Sequence, residues 1–429
     1  MKFYSTNNKE HLVSFQEAIF KGLPDDNGLF MPEYIPLLPP SFFETLPQLT
    51  LPEIGFHVLK QFIGDEVSEP DLQKLIHDSL NFEIPLIQVS ESIYSLELFH
   101  GPTYAFKDVG ARFLARSLSH FIKSTNKKLT VLVATSGDTG SAVAQGFYDV
   151  ANIDVIILYP KNGISEFQKY QMTSLGKNIT ALEVDGVFDD CQKLVKQAFL
   201  DKDLSSAKNL TSANSINIAR LLPQSVYYFH ALAQIPLKEG MEYTLSVPSG
   251  NYGNLTAGLI AKRMGLPIHQ FLACSNSNDT VPSYLLTSEY KPKPSVKTIS
   301  NAMDVGDPSN FYRMLDLFDN SHSEMKQAIT GFSFTDEETR TTIEAVHQDH
   351  KYTLDPHGAV AFRGLESFKL PEKSIGIFLE TAHPYKFKDT VESEIEQTIE
   401  PVEEISSEID YSIAFKNDFE AFKDFLVEM

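Results

Sequence analysis

The stretch Leu129-Thr130-Val131-Leu132-Val133-Ala134-Thr135-Ser136-Gly137-Asp138-Thr139-Gly140-Ser141-Ala142 joins three signals end to end. Its β-branched, apolar opening reads as a strand over 129–134, the hydroxyl- and glycine-rich turn interrupts it, and helical spacing predicts a helix over 139–148. Strand, loop and helix in that order are the unit of a parallel sheet. The unit recurs, with further strands predicted over 93–99, 153–159, 179–184, 243–247, 268–273 and 374–379. Helical patterns over 109–123, 165–175, 189–200, 216–234 and 252–264 lie between them. The chain therefore reads as an α/β protein with two open, twisted, mostly parallel sheets flanked by helices.

Outward from this core the composition changes. Pro32, Pro36, Pro39, Pro40, Pro47 and Pro52 punctuate the first ninety residues, around amphipathic patterns over 53–63 and 70–80, and predict an N-terminal helical cap. The helix-breaking stretch 236–240 precedes a new strand and divides the remainder. The expected organisation is a cap over 1–90, a first α/β domain over 91–240 and a second over 241–429. Glutamate-rich sequence from Glu392 predicts a solvated acidic helix, and 288–298 a polar loop.

A chain of 429 residues with 42% apolar content can bury a full core, which excludes a disulfide-stapled mini-domain or a disordered tail. The balance of 36 basic against 57 acidic residues, a net charge of −21, repels polynucleotides and anionic lipid. An anionic substrate would need a local cluster of donors. Only Cys191 and Cys274 are present, as expected of a reducing compartment. The polar start of the chain lacks the apolar core of a signal peptide, and no apolar run approaches the ~18 residues of a membrane span. A cytoplasmic protein with neither nucleic-acid nor membrane partners is expected.

Ligands of open α/β sheets bind beyond the carboxyl ends of strands. Four loops there carry chemistry. In Pro248-Ser249-Gly250-Asn251-Tyr252-Gly253-Asn254, two glycines permit close backbone approach and the following helix start offers unpaired N–H groups, a cradle for phosphate. It is neither a Walker A loop nor the three-glycine dinucleotide fingerprint. Thr135–Ser141 is similarly suited to a carboxylate or phosphate, although Asp138 would repel either one, and Asp138 or Thr139 could simply be an N-cap. In His100-Gly101-Pro102-Thr103-Tyr104-Ala105-Phe106-Lys107-Asp108, Lys107 stands at a helix start, where the macrodipole disfavours a cation, so its amine has reason to be neutral and nucleophilic. In Glu380-Thr381-Ala382-His383-Pro384-Tyr385-Lys386, the Thr381 hydroxyl can bond a ring nitrogen, with His383 and Lys386 as nearby donors.

Other arrangements carry less. Glu344, His347 and His350 fall at i, i+3, i+6, with Asp355-Pro356-His357 following, but the spacing matches no zinc helix motif. They read as exposed helix histidines and a turn, and no metal is expected. No Gly-x-Ser-x-Gly elbow is present, which weakens a serine hydrolase.

These four loops, with Ser212-Ala213-Asn214-Ser215-Ile216-Asn217-Ile218-Ala219-Arg220 and Ser300-Asn301-Ala302-Met303-Asp304-Val305, closely resemble threonine synthase, in the same order and over nearly the whole chain. The resemblance is to the long bacterial and fungal branch. It implies the fold type II scaffold of pyridoxal 5′-phosphate enzymes (tryptophan synthase beta-like) and O-phospho-L-homoserine as substrate. It further implies a lyase-type β,γ-replacement with water that yields L-threonine and phosphate, the last step of threonine biosynthesis, in a monomer or homodimer. Lys107 matches the Schiff-base lysine, which also moves protons. Gly250, Asn251, Tyr252, Gly253 and Asn254 match the cofactor-phosphate loop, and Thr381 the partner of the pyridine nitrogen. Ser136, Gly137, Thr139 and Ser141 match the loop for the substrate carboxylate, with Asp138 touching the ring hydroxyl. Asn214, Ser215 and Arg220 match the substrate-phosphate positions, and the Arg220 fork is suited to phosphate oxygens.

Two positions depart from related enzymes. Asp138 replaces the asparagine frequent in the wider superfamily, as it does throughout the branch this chain resembles, and Tyr385 stands where alanine is common, which bears on pocket volume. A phospho-lyase that releases 2-oxobutyrate and ammonia is compatible with the same loops. A threonine or serine dehydratase would leave Arg220, Asn214 and Ser215 without a phosphate, and a non-catalytic cofactor-binding protein would not need Lys107.

Overall fold

The computed structural model describes residues 1–123, 128–236, 240–402 and 409–429. Two sheets carry the α/β core. The first has five parallel strands in the order Ile413–Phe415, Ile179–Val184, Ile153–Pro160, Leu129–Ala134, Leu210–Ser212. The second has six, in the order Ile329–Ser333, Gln270–Ser275, Glu242–Pro248, Ser374–Glu380, Ile93–Glu97, Leu86–Gln88, and only the last pair is antiparallel. Continuous burial along Val131–Ala134 and Val155–Pro160 shows helices on both faces, as parallel strands require.

All seven strands predicted for the core are present with ends shifted by at most a few residues. The long helical pattern over 216–234 is instead divided into Ile218–Leu221, a 3-10 turn Leu222–Gln224 and Ser225–Ala233. Pro223, which lacks an N–H, sits at that break. The cap contains its two predicted helices, Leu51–Ile63 and Glu69–Ser79, and also a small antiparallel sheet of Phe3–Ser5, Asn8–Val13 and Phe30–Pro32. Phe3, Phe15, Phe30, Val131, Leu245 and Ile377 belong to one continuous apolar core, so the cap is packed into the body of the protein.

The sheets do not follow the division of the chain at 240/241. Residues 91–240 supply Ile93–Glu97 to the six-stranded sheet, and residues 241–429 return Ile413–Phe415 to the five-stranded one. Part of the breaker stretch, 237–239, lies outside the described residues. Of the acidic region expected to be helical from Glu392, only 392–395 is, as the end of the short helix Lys388–Ile395, while 396–402 is not; the helix Phe419–Glu428 buries Phe422 and Leu426 against the first sheet's core. Residues 403–408 lie outside the described residues. No helix among the described residues is long and apolar enough to cross a membrane.

Candidate active site

The carboxyl ends of both sheets face one cavity of about 260 Å³. Lys107, Ser136, Asp138, Thr139, Asn214, Ser215, Arg220, Gly250 to Asn254 and Thr381 all line it. Five segments that are distant in sequence thus meet, as the strand-end rule for α/β sheets requires.

Lys107 is placed by an unusual join. Ala105 forms an antiparallel bridge with Ala382, the Phe106 N–H donates to Thr381 O at 2.9 Å, and the His383 N–H donates to Tyr104 O at 3.0 Å. The end of the Ser374–Glu380 strand therefore grips the residues just before the Lys107–Ile122 helix and holds Thr381 beside Lys107. Burial away from bulk water lowers the Lys107 pKa to about 8, with Arg220 and Lys386 pushing the same way and Asp138 opposing them. The helix start adds its positive end. At pH 7 an amine with this pKa is neutral in roughly one molecule in ten, against about one in 2,500 for an ordinary lysine.

Asp138, which the sequence presented as an obstacle to anion binding, has its own cation. Lys386 Nζ lies 2.8 Å from Asp138 Oδ1, and Gln168 Nε2 donates to the same oxygen at 2.9 Å. Burial opposes the charge, but Lys386 and Lys107 overcome it and hold the carboxyl well below the usual carboxylate range. Lys386 also donates to Thr103 O at 2.8 Å and is itself buried. The N-cap of the helix Asp138–Phe147 is Gly137, neither Asp138 nor Thr139, and Thr135 Oγ1 accepts from the Gly137 and Gly140 amides at 3.0 and 2.8 Å. Gly137 adopts φ 135°, and a Cβ there would overlap Gln168. Gly137 and Ser141 do not line the cavity. The Ser141 hydroxyl turns instead toward Gly137 O and Gln168 O, each at 3.4 Å.

Tyr252 lies between two loop glycines in the left-handed region at φ 59°, a conformation that is costly for a bulky residue. The fold compensates by burying the ring and bonding its hydroxyl to Ser275 Oγ at 2.6 Å. This kink opens the helix Gly253–Arg263, whose first amides have no intrahelical acceptor and so remain available to an anion. Arg220 lies against Gly110, one turn along the helix from Lys107, where a Cβ would come within 3.0 Å of Arg220 Nε. That Nε is buried without a partner, and burial lowers the guanidinium pKa to about 10. Asn214 and Ser215 line the wall while bonded to protein: Asn214 Nδ2 to Ala134 O at 2.8 Å, and Ser215 Oγ from Asn251 Nδ2 at 2.5 Å.

The histidine expected in an exposed turn is different in kind. His357 is 2% exposed and lines the cavity, with Asp355 Oδ1 2.6 Å from its Nδ1 and the Ala302 amide donating to its Nε2 at 3.3 Å. Asp355 in turn donates its amide to Glu380 Oε1 at 2.6 Å, and burial beside Asp355 holds the Glu380 carboxyl well above its usual range. His347 bonds Thr353 Oγ1 at 3.1 Å and His350 is exposed, so these two do not join it. His357 lines the cavity, and Lys386 stands behind the lining as the partner of Asp138; the sequence offered the first only as a turn residue and the second only as a nearby donor. The only local signs were a cation after a strand end and a histidine behind a helix-starting Asp-Pro. Tyr385 packs edge-on against Phe167 at 5.4 Å and does not line the cavity, so it leaves the volume unchanged.

A lysine with a lowered pKa, a phosphate-suited helix start and a hydroxyl residue beside the lysine define a site of the pyridoxal-phosphate type. Residues 83–379 match the family of pyridoxal-phosphate dependent enzymes, and residues 2–80 match the threonine synthase N terminus. The chain is 43% identical to threonine synthase of Buchnera aphidicola from Acyrthosiphon pisum over the whole of both chains, and 42% identical to that of Escherichia coli over 99% of this chain and 98% of the relative. The crystal structure of the Escherichia coli threonine synthase superposes over 100% of both chains with a TM-score of 0.93 at 41% identity. A pyridoxal-phosphate-bound threonine synthase from Brucella melitensis superposes at 0.92 with 31% identity, covering 100% of this chain and 99% of that one. The chain belongs to the threonine synthase family of pyridoxal-phosphate dependent enzymes.

Proposed function

We propose that this cavity converts O-phospho-L-homoserine and water to L-threonine and phosphate. The observation that carries the reading is the convergence of Lys107, Thr381, the Gly250–Asn254 loop and Arg220 on one cavity. The residues fit pyridoxal phosphate: the Lys107 amine can hold its aldehyde carbon, the amides of Gly250 to Asn254 its phosphate, and the Thr381 hydroxyl its ring nitrogen, with Asp138 beside the ring hydroxyl. Bound there, the cofactor supplies an electron sink for negative charge developing at the substrate's Cα and Cβ.

The chain's own residues orient the substrate and move its protons. Ser136 and Thr139, at the start of the helix Asp138–Phe147, receive the substrate carboxylate, and Lys386 neutralises Asp138 so that the loop can accept an anion. Gly137 and Ser141 support that loop from behind. Arg220, with Asn214 and Ser215, binds the substrate phosphate and stabilises it as it leaves Cγ. Lys107, with a pKa close to ambient pH, is suited both to take the proton from Cα and to return a proton, as a general base and acid must. A cytoplasmic location agrees with two buried, unpaired cysteines.

The test is product identification. Purified holoenzyme given O-phospho-L-homoserine should release threonine and phosphate in equal amounts, and Lys107→Ala should lose both turnover and the visible absorbance of bound cofactor. Release of 2-oxobutyrate and ammonia would make the protein a phospho-lyase instead. No cofactor absorbance in the unaltered protein would overturn the assignment.

A further inference from the structure

Arg313 is among the largest fully buried side chains of the molecule, and among the described residues no carboxylate pairs with it. Its guanidinium donates to four neutral oxygens: Nε to Phe30 O at 3.2 Å, Nη1 to Ser215 O at 3.2 Å and to Asn310 Oδ1 at 2.7 Å, and Nη2 to Ile216 O at 2.6 Å. Burial lowers its pKa to about 9. A buried cation with no counter-ion is costly, and an apolar side chain of similar volume would avoid that cost. Its bonding pattern indicates what it is kept for. Phe30 belongs to the N-terminal cap, Ser215 and Ile216 to the segment behind the cavity wall, and Asn310 to the second half of the chain.

The same segment is held by the cap a second time. Thr211 Oγ1 and Asn217 Nδ2 both donate to Ile19 O at 3.0 Å, a carbonyl in the last turn of the helix Phe15–Lys21 that has no acceptor role inside that helix. Gly22 follows so closely that a Cβ there would come within 3.1 Å of the Ser212 amide and Thr211 Oγ1. Between these anchors, Arg220 takes Ala213 O while Arg313 takes Ser215 O and Ile216 O. Three carbonyls of one short stretch are thus drawn toward guanidinium groups. The partial negative charge that would repel an anion is engaged there, and Arg220, whose Nε has no protein partner, is left for a phosphate to satisfy, while Arg313 stands behind the wall, outside the cavity lining.

We propose that the N-terminal module positions the anion-binding segment 213–220, acting through Ile19 and through Arg313 as a bridge from Phe30. The inference rests on the reading of this cavity as the site of a phosphorylated substrate. Arg313 is a positioning residue. It reaches the anion through Ser215 and through its field, and it shapes substrate binding more than the chemistry at Cα.

The test compares Arg313→Met, Arg313→Lys and Thr211→Val with the unaltered holoenzyme. It follows kcat and KM for O-phospho-L-homoserine, the affinity for inorganic phosphate by titration calorimetry, and the visible absorbance of bound cofactor. Arg313→Met is expected to raise KM and the phosphate dissociation constant together, by about tenfold or more, as loss of charge-assisted hydrogen bonds does. Cofactor absorbance should be unchanged and kcat should stay within about threefold. Arg313→Lys keeps the charge but not the fork, and should fall between. Thr211→Val, which removes only the hydroxyl bond to Ile19, should move the same two constants by a few-fold, and it carries the test where Arg313→Met does not fold. Phosphate affinity and KM within twofold of the unaltered protein in Arg313→Lys and Thr211→Val would overturn the inference, as would loss of cofactor with KM unchanged. Calorimetry needs no turnover. Weaker phosphate binding in the variants would therefore support the inference even where the product assay gives 2-oxobutyrate and so overturns the functional reading alone.

Discussion

Lys107→Met should abolish activity and yet make the cofactor-free protein more stable at neutral pH. The amine titrates at about 8 in the folded chain, against ~10.4 for a lysine in an unfolded one. Because the folded pKa is the lower one, folding at pH 7 confines a proton that the unfolded chain binds more tightly, and the penalty is present in full below about pH 8. At ~1.36 kcal/mol per pH unit, the gap amounts to about 3 kcal/mol. It is a ceiling, since part of Lys107 faces the cavity. Between pH 8 and ~10.4 the folded chain is already neutral and the penalty fades, leaving about 1 kcal/mol at pH 9.5. Methionine does not titrate, so the stability advantage of the variant should shrink by about 2 kcal/mol from pH 7 to pH 9.5. Differences in packing are independent of pH and cancel in that comparison. Urea unfolding of both cofactor-free chains, followed by circular dichroism at the two pH values, makes the measurement. An advantage that stays constant or grows with pH would refute the argument that burial holds this amine near neutrality.

Two further outcomes follow from the neighbours of that lysine. Lys386→Met removes a cation that lowers the Lys107 pKa and leaves Asp138, which raises it, without its 2.8 Å partner. The acid limb of cofactor uptake by the stripped protein should therefore move to higher pH by about one unit or more, read as the rate of appearance of visible absorbance against pH. Gly358→Ala would place a methyl group inside the Glu380 carboxyl. Overpacking of this kind costs about 1–3 kcal/mol, and because Asp355 links Glu380 to His357, the lowered urea midpoint should be accompanied by weaker cofactor retention in equilibrium dialysis.

What could be read from the sequence was local. A run such as Val131-Leu132-Val133-Ala134 is buried from both sides and has no polar alternation to confuse it, so its strand was evident, as were the loops that follow such strands. Ile413–Phe415 was not, since a three-residue edge strand has too few residues to show a period and exists only through its partner at Leu182–Val184. Ile329–Ser333 was hidden by Gly331, which in a strand reads as a break; here Pro282 packs where its side chain would be. In the site, Lys107 and the glycine loop carried their own signals. The partner of Asp138 did not, because the Lys386 contact is made across the whole fold. The reading of His357 as an exposed turn residue failed for the same reason: its burial depends on Phe387 and the Ala302 loop, which arrive from elsewhere in the chain.

The return of Ile413–Phe415 to the first sheet also sets the order in which the protein can be completed during synthesis. Ile179–Val184 emerges early from the ribosome but acquires its outer neighbour only once Ile413–Phe415 has been made, after every strand of the second sheet. Until then its backbone presents an unpaired edge, the kind of template on which nascent chains join one another. Premature termination just ahead of Ile413 would leave the cavity's residues intact and that edge permanently open. Truncations that remove Ile413–Phe415 should therefore show themselves first as aggregation in the cell, well before any change in the chemistry of the cavity.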